Sequence, residues 1–198
     1  MAILYLVRHG ETDWNADGRF MGQSDVPLNE RGRRQAAALA PRLAAEVPEW
    51  GLVVSSDLLR TRETRDVVLA GAAYAAMEDA RLREIYGGSM EGLTREEQRV
   101  QFPEWWRASR AEQSDAVRFP DGESFEDMKC RVVDAIEEIS VSQDGPILVV
   151  THGGVVQAVL SEILHLSRVY RDRISVDNCS VTVVRWDVDR HAILRVNA

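Results

Sequence analysis

The sequence predicts an α/β fold: a single domain with a mainly parallel central sheet flanked by helices. Short apolar runs alternate along the chain with longer stretches of helical period, which is the pattern of repeated βα units. The runs at Ile3–Val7 and Ile147–Val150 are continuously apolar rather than alternating, as in strands covered on both faces. At 198 residues, 45% apolar and 28% charged, the chain is long enough for one substantial core without a disulfide or metal staple.

Taken in order, Ile3-Leu4-Tyr5-Leu6-Val7 is the first expected strand. The loop that follows, Gly10 to Asn29, carries Gly18, Gly22 and Pro27, and ordered loops of that length are usually functional. Asn29 is placed to cap a helix running to about Val47, which Pro41 is expected to kink or split. Leu52-Val53-Val54-Ser55 reads as a second strand, with Ser55 or Ser56 available to cap a helix through Leu58, Leu59, Val67, Val68 and Leu69. From Leu82 to Pro120 the pattern is irregular, punctuated by Gly87-Gly88 and Trp105-Trp106. Helical period resumes from Phe125 to Ile139 through Met128, Val132, Ala135 and Ile136. Ile147-Leu148-Val149-Val150 is the clearest strand, followed by a helix from about Gly154 to His165. Val181–Trp186 and Ala192–Val196, joined through Asp187-Val188-Asp189-Arg190, read as a terminal hairpin. No repeat or linker interrupts residues 1–198, which read as one domain.

Composition narrows the function classes. With 24 Lys and Arg against 32 Asp and Glu, the formal charge is −8, which argues against nucleic acid as a partner. A small phosphorylated substrate remains compatible, because a local arginine pocket can be positive on an acidic protein. Cys130 and Cys179 are far apart and in no metal-ligand spacing, so reduced thiols are expected. No cationic run precedes the short N-terminal apolar segment, and no apolar stretch approaches a membrane span. A cytoplasmic location and no membrane partner are therefore expected; oligomeric state is left open.

In parallel sheets, ligands gather beyond the carboxyl ends of the strands. Arg8-His9 directly follows the first strand, Thr151-His152 follows the strand at 147–150, and Ser55 to Arg60 follows the second. Two histidines and at least two arginines are thus expected at one sheet edge. Guanidinium groups match phosphate oxygens, and nearby cations keep an imidazole neutral and nucleophilic. A leaving alkoxide needs a proton donor, for which Glu84 is the candidate, although spacing alone leaves other carboxylates in competition.

The run Leu6-Val7-Arg8-His9-Gly10-Glu11-Thr12, with Trp14-Asn15 behind it, resembles the histidine phosphatase superfamily, also called phosphoglycerate mutase-like. The resemblance continues in order through Gly22 to Leu28, Gly32 with Gln35-Ala36, Ser55 to Thr61, Glu84, Glu91-Gly92-Leu93, Gly122-Glu123-Ser124 and Thr151 to Gly154. It implies that His9 is the phosphorylated nucleophile and that Arg8, Arg60 and His152 form the phosphate pocket, with His152 also counted among the catalytic groups. Asn15 would help to hold the phosphate, and Glu84 would be the proton donor. No metal or organic cofactor is implied.

Within the family, cofactor-dependent mutases carry a tyrosine three residues after the acid and a Leu-Gln-Gly stretch further on; here those positions are Gly87 and Met90-Glu91-Gly92. Arg95, however, lies near the mutases' basic substrate-binding position. The expectation is a metal-independent phosphomonoesterase, of the histidine acid phosphatase type, acting on a small phosphorylated metabolite through phosphohistidine. A 2,3-bisphosphoglycerate-dependent phosphoglycerate mutase is the alternative, and a catalytically silent phosphate-binding module the third reading. His165 and His191 match no motif and are expected at surface or capping positions. Trp105 and Trp106 are expected to pack beneath a loop, with walling of the substrate pocket as the alternative; Arg62 is a candidate for a second acidic group on the substrate, and Asn178 reads equally as a brace or a turn residue. The acidic run Asp115 to Glu126 reads as solvated surface, apart from Glu123-Ser124.

Overall fold

The computed structural model describes the chain except residues 70, 71, 73, 113, 143, 144, 188 and 189, and the side chains at 112, 168 and 169. Its centre is a six-stranded sheet of β1 (Ala2–Arg8), β2 (Leu52–Ser55), β3 (Ala76–Glu78), β4 (Pro146–Thr151), β5 (Val181–Trp186) and β6 (Ala192–Arg195). The spatial order is β3-β2-β4-β1-β5-β6. β1, β2, β3 and β4 run parallel, while β5 pairs antiparallel with β1 and with β6. The α/β expectation, with a mostly parallel mixed sheet, holds. The central part of the expected hairpin connection, Val188-Asp189, lies outside the described residues.

Continuous hydrophobicity in the central strands has a direct cause. Leu4 and Leu6 of β1 face a core shared with α6 (Phe125–Ser142) and α7 (Gly153–Leu164). Ile3, Tyr5 and Val7 face the opposite core, built with Ala36, Leu39 and Leu43 of α2 (Glu30–Glu46) and Val68 of α3 (Leu59–Val68). β4 divides likewise, Ile147 and Val149 to one side and Leu148 and Val150 to the other. The helices after β1 and β4 therefore cover opposite faces, and a crevice opens between the carboxyl ends of these adjacent strands. That is the switch point at which parallel sheets bind ligands.

Several local expectations change. Pro41 neither ends nor splits α2: the helix is continuous from Glu30 to Glu46, with Pro41 exposed and Leu39 and Leu43 buried on either side. Side-chain burial on the core face outweighs the missing backbone donor. Neither Ser55 nor Ser56 caps α3; its N-cap residue is Leu58, and Asp25 from the preceding loop accepts the Leu59 amide at 2.6 Å. The cap is thus tertiary rather than local.

The irregular middle contains two helices, α4 (Arg95–Gln101) and α5 (Pro103–Glu112). A Thr94–Glu97 capping box opens α4, and Pro103 takes the first position of α5, where its missing N–H costs nothing. Short helices α1 (Asp13–Ala16) and α8 (Arg168–Arg171) complete the set. His165 ends α7 in a left-handed cap, whereas His191 stacks on Trp186 at 3.9 Å between ring centroids. Asp115 is only partly solvated: it pairs with the buried Arg171. Among the described residues, no helix is long and apolar enough to cross a membrane.

Candidate active site

β1 delivers His9 to the crevice with its backbone still tied to the sheet, since the His9 amide bonds Thr151 O at 2.9 Å. The ring is buried and its Nδ1 lies 2.7 Å from Gly10 O. A carbonyl can only accept, so Nδ1 carries the proton and Nε2 keeps its lone pair. Gly10 is steadied in turn by its own amide, which donates to Thr64 Oγ1 at 3.0 Å. Burial, then the Arg60 and Arg8 charges, push the His9 imidazolium well below its ordinary range; the Gly10 hydrogen bond opposes them only in part. His9 is therefore neutral near pH 7.

β4 delivers His152 beside it, with ring centroids 5.3 Å apart. Arg60 Nε donates to His152 Nδ1 at 3.3 Å, which leaves the proton on Nε2 to reach Ser56 Oγ at 3.0 Å. His152 is also held well below the ordinary histidine range, by burial first and then by Arg60, His9 and Arg8. Both of its ring nitrogens are engaged in the free site, so contact with a phosphate requires the Arg60 bond to yield.

Arg60 stands in the opening turn of α3 and is completely buried. Its Nη1 and Nη2 donate to Ser24 O at 2.8 Å and Gly22 O at 2.7 Å, so the long loop after β1 aims the guanidinium. Gly22 reaches this position with φ of +52°, and a Cβ there would lie 2.0 Å from Glu91 Oε1. Burial lowers Arg60 to about 10, which still leaves it charged at neutral pH. Arg8 anchors one Nη on Val176 O, while its Nε is buried without a partner. An unpaired buried guanidinium donor is costly, and an anion in the crevice removes the cost.

Asn15 is the third residue of α1. Its Oδ1 accepts the Thr12 amide at 3.2 Å, so its amide nitrogen is the group left to donate. Asn178 donates from Nδ2 to His9 O at 2.9 Å and sits 3.4 Å from Asn15 Oδ1, so of its two readings the brace is the one observed. The neighbouring Cys179 takes φ of +57° to bring its amide 3.0 Å from Arg8 O, and burial pushes its thiol up to about 12.

Glu84 enters from the segment between β3 and α4. Its Oε2 accepts the Gly154 amide at the start of α7 at 3.0 Å, and its Oε1 accepts the Ile85 amide at 2.9 Å. Gly154 is needed here, because a Cβ would stand 2.1 Å from Glu84 Oε1. Beyond Glu84 opens a cleft of about 630 Å³, walled by Phe20, Trp105, Trp106, Phe119 and Arg95 among others. Trp105 packs flat on Phe119 at 4.8 Å, so packing and lining are one role rather than two. Arg62 does not line this cleft. Among the described residues, no three His, Cys, Asp or Glu side chains converge as metal ligands would.

Arg8, His9, Asn15, Arg60, Glu84 and His152, the residues assigned to the nucleophile, the proton donor and the phosphate pocket, thus gather at the carboxyl ends of β1 and β4. What pattern reading missed is the support around them: the Gly22 and Ser24 carbonyls behind Arg60, and Thr64 behind Gly10. Contacts of this kind leave no periodic or spacing signal.

Comparison with known proteins agrees with the geometry. The family model described as histidine phosphatase superfamily (branch 1) matches residues 4–198. A probable phosphoglycerate mutase, GpmB, from Escherichia coli K12 (DH10B) is 36% identical over 194 residues, covering 94% of this chain and 86% of the relative. Among solved structures, YhfR of Bacillus stearothermophilus is 32% identical with a TM-score of 0.87, covering 98% of this chain and 96% of the other. A mycobacterial glucosyl-3-phosphoglycerate phosphatase, in complex with VO3, is 31% identical with a TM-score of 0.85, covering 99% and 98%. The α-ribazole phosphatase of Shigella flexneri is 26% identical with a TM-score of 0.87, covering 99% and 96%. The chain belongs to the histidine phosphatase superfamily.

Proposed function

We propose that the chain is a phosphomonoesterase that hydrolyses a small phosphorylated metabolite through a phosphohistidine on His9, without a metal ion. The observation that carries this reading is the state of His9: a neutral, Nδ1-tethered imidazole whose Nε2 is free, set between two guanidinium groups. In the first step Nε2 forms the N–P bond as the P–O bond to the alcohol breaks, and Glu84 gives its proton to the departing oxygen. In the second, Glu84 takes a proton from water, whose oxygen attacks phosphorus and releases His9 and inorganic phosphate. Arg8, Arg60 and the Asn15 amide supply the positive charge and donors that the phosphoryl oxygens require. His152 joins them when the incoming dianion, which offsets the neighbouring cations, lets its ring take up a proton and donate to phosphate.

Water as acceptor is favoured by the cleft beside Glu84. At about 630 Å³ it is larger than a three-carbon acid fills, which favours a bulkier ester whose alcohol departs and leaves the phosphohistidine to water, the acceptor a mutase must exclude. The relative described as a probable phosphoglycerate mutase supports the other acceptor, a second substrate hydroxyl. The deciding experiment supplies 3-phosphoglycerate with 2,3-bisphosphoglycerate and scores 2-phosphoglycerate against free phosphate, alongside p-nitrophenyl phosphate with and without EDTA. Hydrolysis indifferent to chelator is expected. Predominant 2-phosphoglycerate would establish the mutase instead, EDTA-sensitive turnover would overturn the metal-free mechanism, turnover without an acid-labile phosphoprotein after quench would overturn the phosphohistidine route, and absence of both would leave a binding module.

A further inference from the structure

The segment carrying Glu84 has little regular structure of its own. After a single 3-10 turn at Ala80–Leu82 the chain runs extended and irregular to Gly87, yet a proton donor must be held to a fraction of an ångström. Its carbonyls are secured from elsewhere. Thr151 Oγ1 donates to Leu82 O at 2.9 Å. The other bonds come chiefly from one residue, Arg131 of α6, which donates through Nη1 to Arg81 O at 2.6 Å and Arg83 O at 2.8 Å, and through Nη2 to Glu84 O at 3.0 Å. Gln23 Nε2 adds a longer bond to Glu84 O, at 3.2 Å.

Arg131 is itself locked. Its Nε and Nη2 form a two-pronged pair with Glu123, at 3.1 Å through Nε, and Glu123 Oε1 also accepts the Tyr86 amide at 2.8 Å. Both partners are largely shielded from solvent. The guanidinium and the carboxylate thus grip the backbone on both sides of Glu84.

We propose that Arg131, anchored by Glu123, is the positioning residue for Glu84: it fixes the main chain from which the carboxyl group reaches Gly154 and the leaving oxygen. This rests on the reading of Glu84 as the proton donor. Lysine cannot replace the fork, since a point charge on a flexible stem cannot hold three carbonyls and a carboxylate in one plane. It does preserve the positive charge, which helps to depress His152, so an Arg131→Lys variant separates geometry from electrostatics.

The test is leaving-group dependence. p-Nitrophenyl phosphate releases a phenolate that departs without a proton, whereas glycerol 1-phosphate releases an alkoxide that needs one. Wild type, Glu84→Gln and Arg131→Lys are compared on both esters, with circular dichroism and melting to verify folding. If Arg131→Lys does not fold, Glu123→Gln, which loosens the anchor and leaves the fork, takes its place. Glu84→Gln is expected to lose about 10²–10⁴-fold in kcat/KM on the alkyl ester and far less on the aryl ester. Arg131→Lys should share that signature, losing about tenfold more on the alkyl than on the aryl ester, and should still form phosphohistidine from p-nitrophenyl phosphate. A folded variant that slows both esters equally, or neither, overturns the inference while leaving Glu84 in place. Equal losses in Glu84→Gln would remove Glu84 as donor and the inference with it.

Discussion

At His9 the charge state of the nucleophile is decided before substrate arrives. Burial and two arginines hold the ring neutral, and the Gly10 carbonyl selects which nitrogen is free. Two results follow at this scale. His9→Ala should reduce turnover to background and abolish phosphohistidine, as read by acid-labile phosphate after quench with labelled substrate. The sign of the pH dependence is also set: attack needs neutral imidazole, and the ring's protonation lies well below 6.5, so kcat/KM should not begin its acid decline until well under that pH. An acid limb centred at 6.5 or above would mean that the arginines do not govern His9 in the working enzyme. Gly154 yields a third expectation. Gly154→Ala drives a methyl group into Glu84, so turnover of an alkyl phosphate should fall by more than tenfold on the order-of-magnitude scale of general acid catalysis, with protein folding retained.

At the scale of elements, α2 carries an internal strain that its packing tolerates. Pro41 removes one backbone bond and crowds the preceding turn, about 3 kcal/mol in a helix interior, offset by roughly 0.4–1 kcal/mol of lost unfolded-state freedom. Pro41→Ala should therefore stabilise the protein by about 2 kcal/mol in urea or thermal unfolding, with turnover unaltered; a destabilised variant would show that the helix bends productively around the proline. The same element illustrates what a sequence discloses. Strands β1, β2 and β4, the helices behind them, and the residues at their carboxyl ends were all legible, because period and strand-end position are local properties. The capping of α3 by Asp25, 34 residues before the amide it accepts, was not, nor was the grip of Arg131 on a segment 47 residues upstream. Helices α4 and α5 did carry local signals, Thr94 with Glu97 and then Pro103, but each is short and holds few apolar residues, so the apolar pattern did not draw attention to them.

For the whole molecule, the two neutral buried histidines make stability depend on pH in a definite direction. In the unfolded chain each would take up a proton near 6.5; in the native protein both resist protonation until well below that value. Below 6.5 the unfolded state therefore binds more protons, and stability falls with acidification, at up to about 1.4 kcal/mol per pH unit for each group. The depressed carboxylates Asp57, Asp79 and Asp127 act in the same sense, but only as pH falls below about 3.8, so the interval between is governed by histidine. Urea unfolding at a series of pH values from 7 to 5 should show this decline, and His9→Gln should lessen it. A flat profile across that interval would refute the assignment of two neutral native rings.

The turn at Cys179 has a practical reach beyond the site it supports. A thiol raised to about 12 holds almost no thiolate at neutral pH, and only the thiolate attacks an alkylating reagent. The other cysteine, Cys130, is exposed and sits on α6 immediately before Arg131. A maleimide dye added to the unmodified protein should thus couple at one place, giving a native optical probe on the helix that steadies the proton donor, with no cysteine engineered in or out.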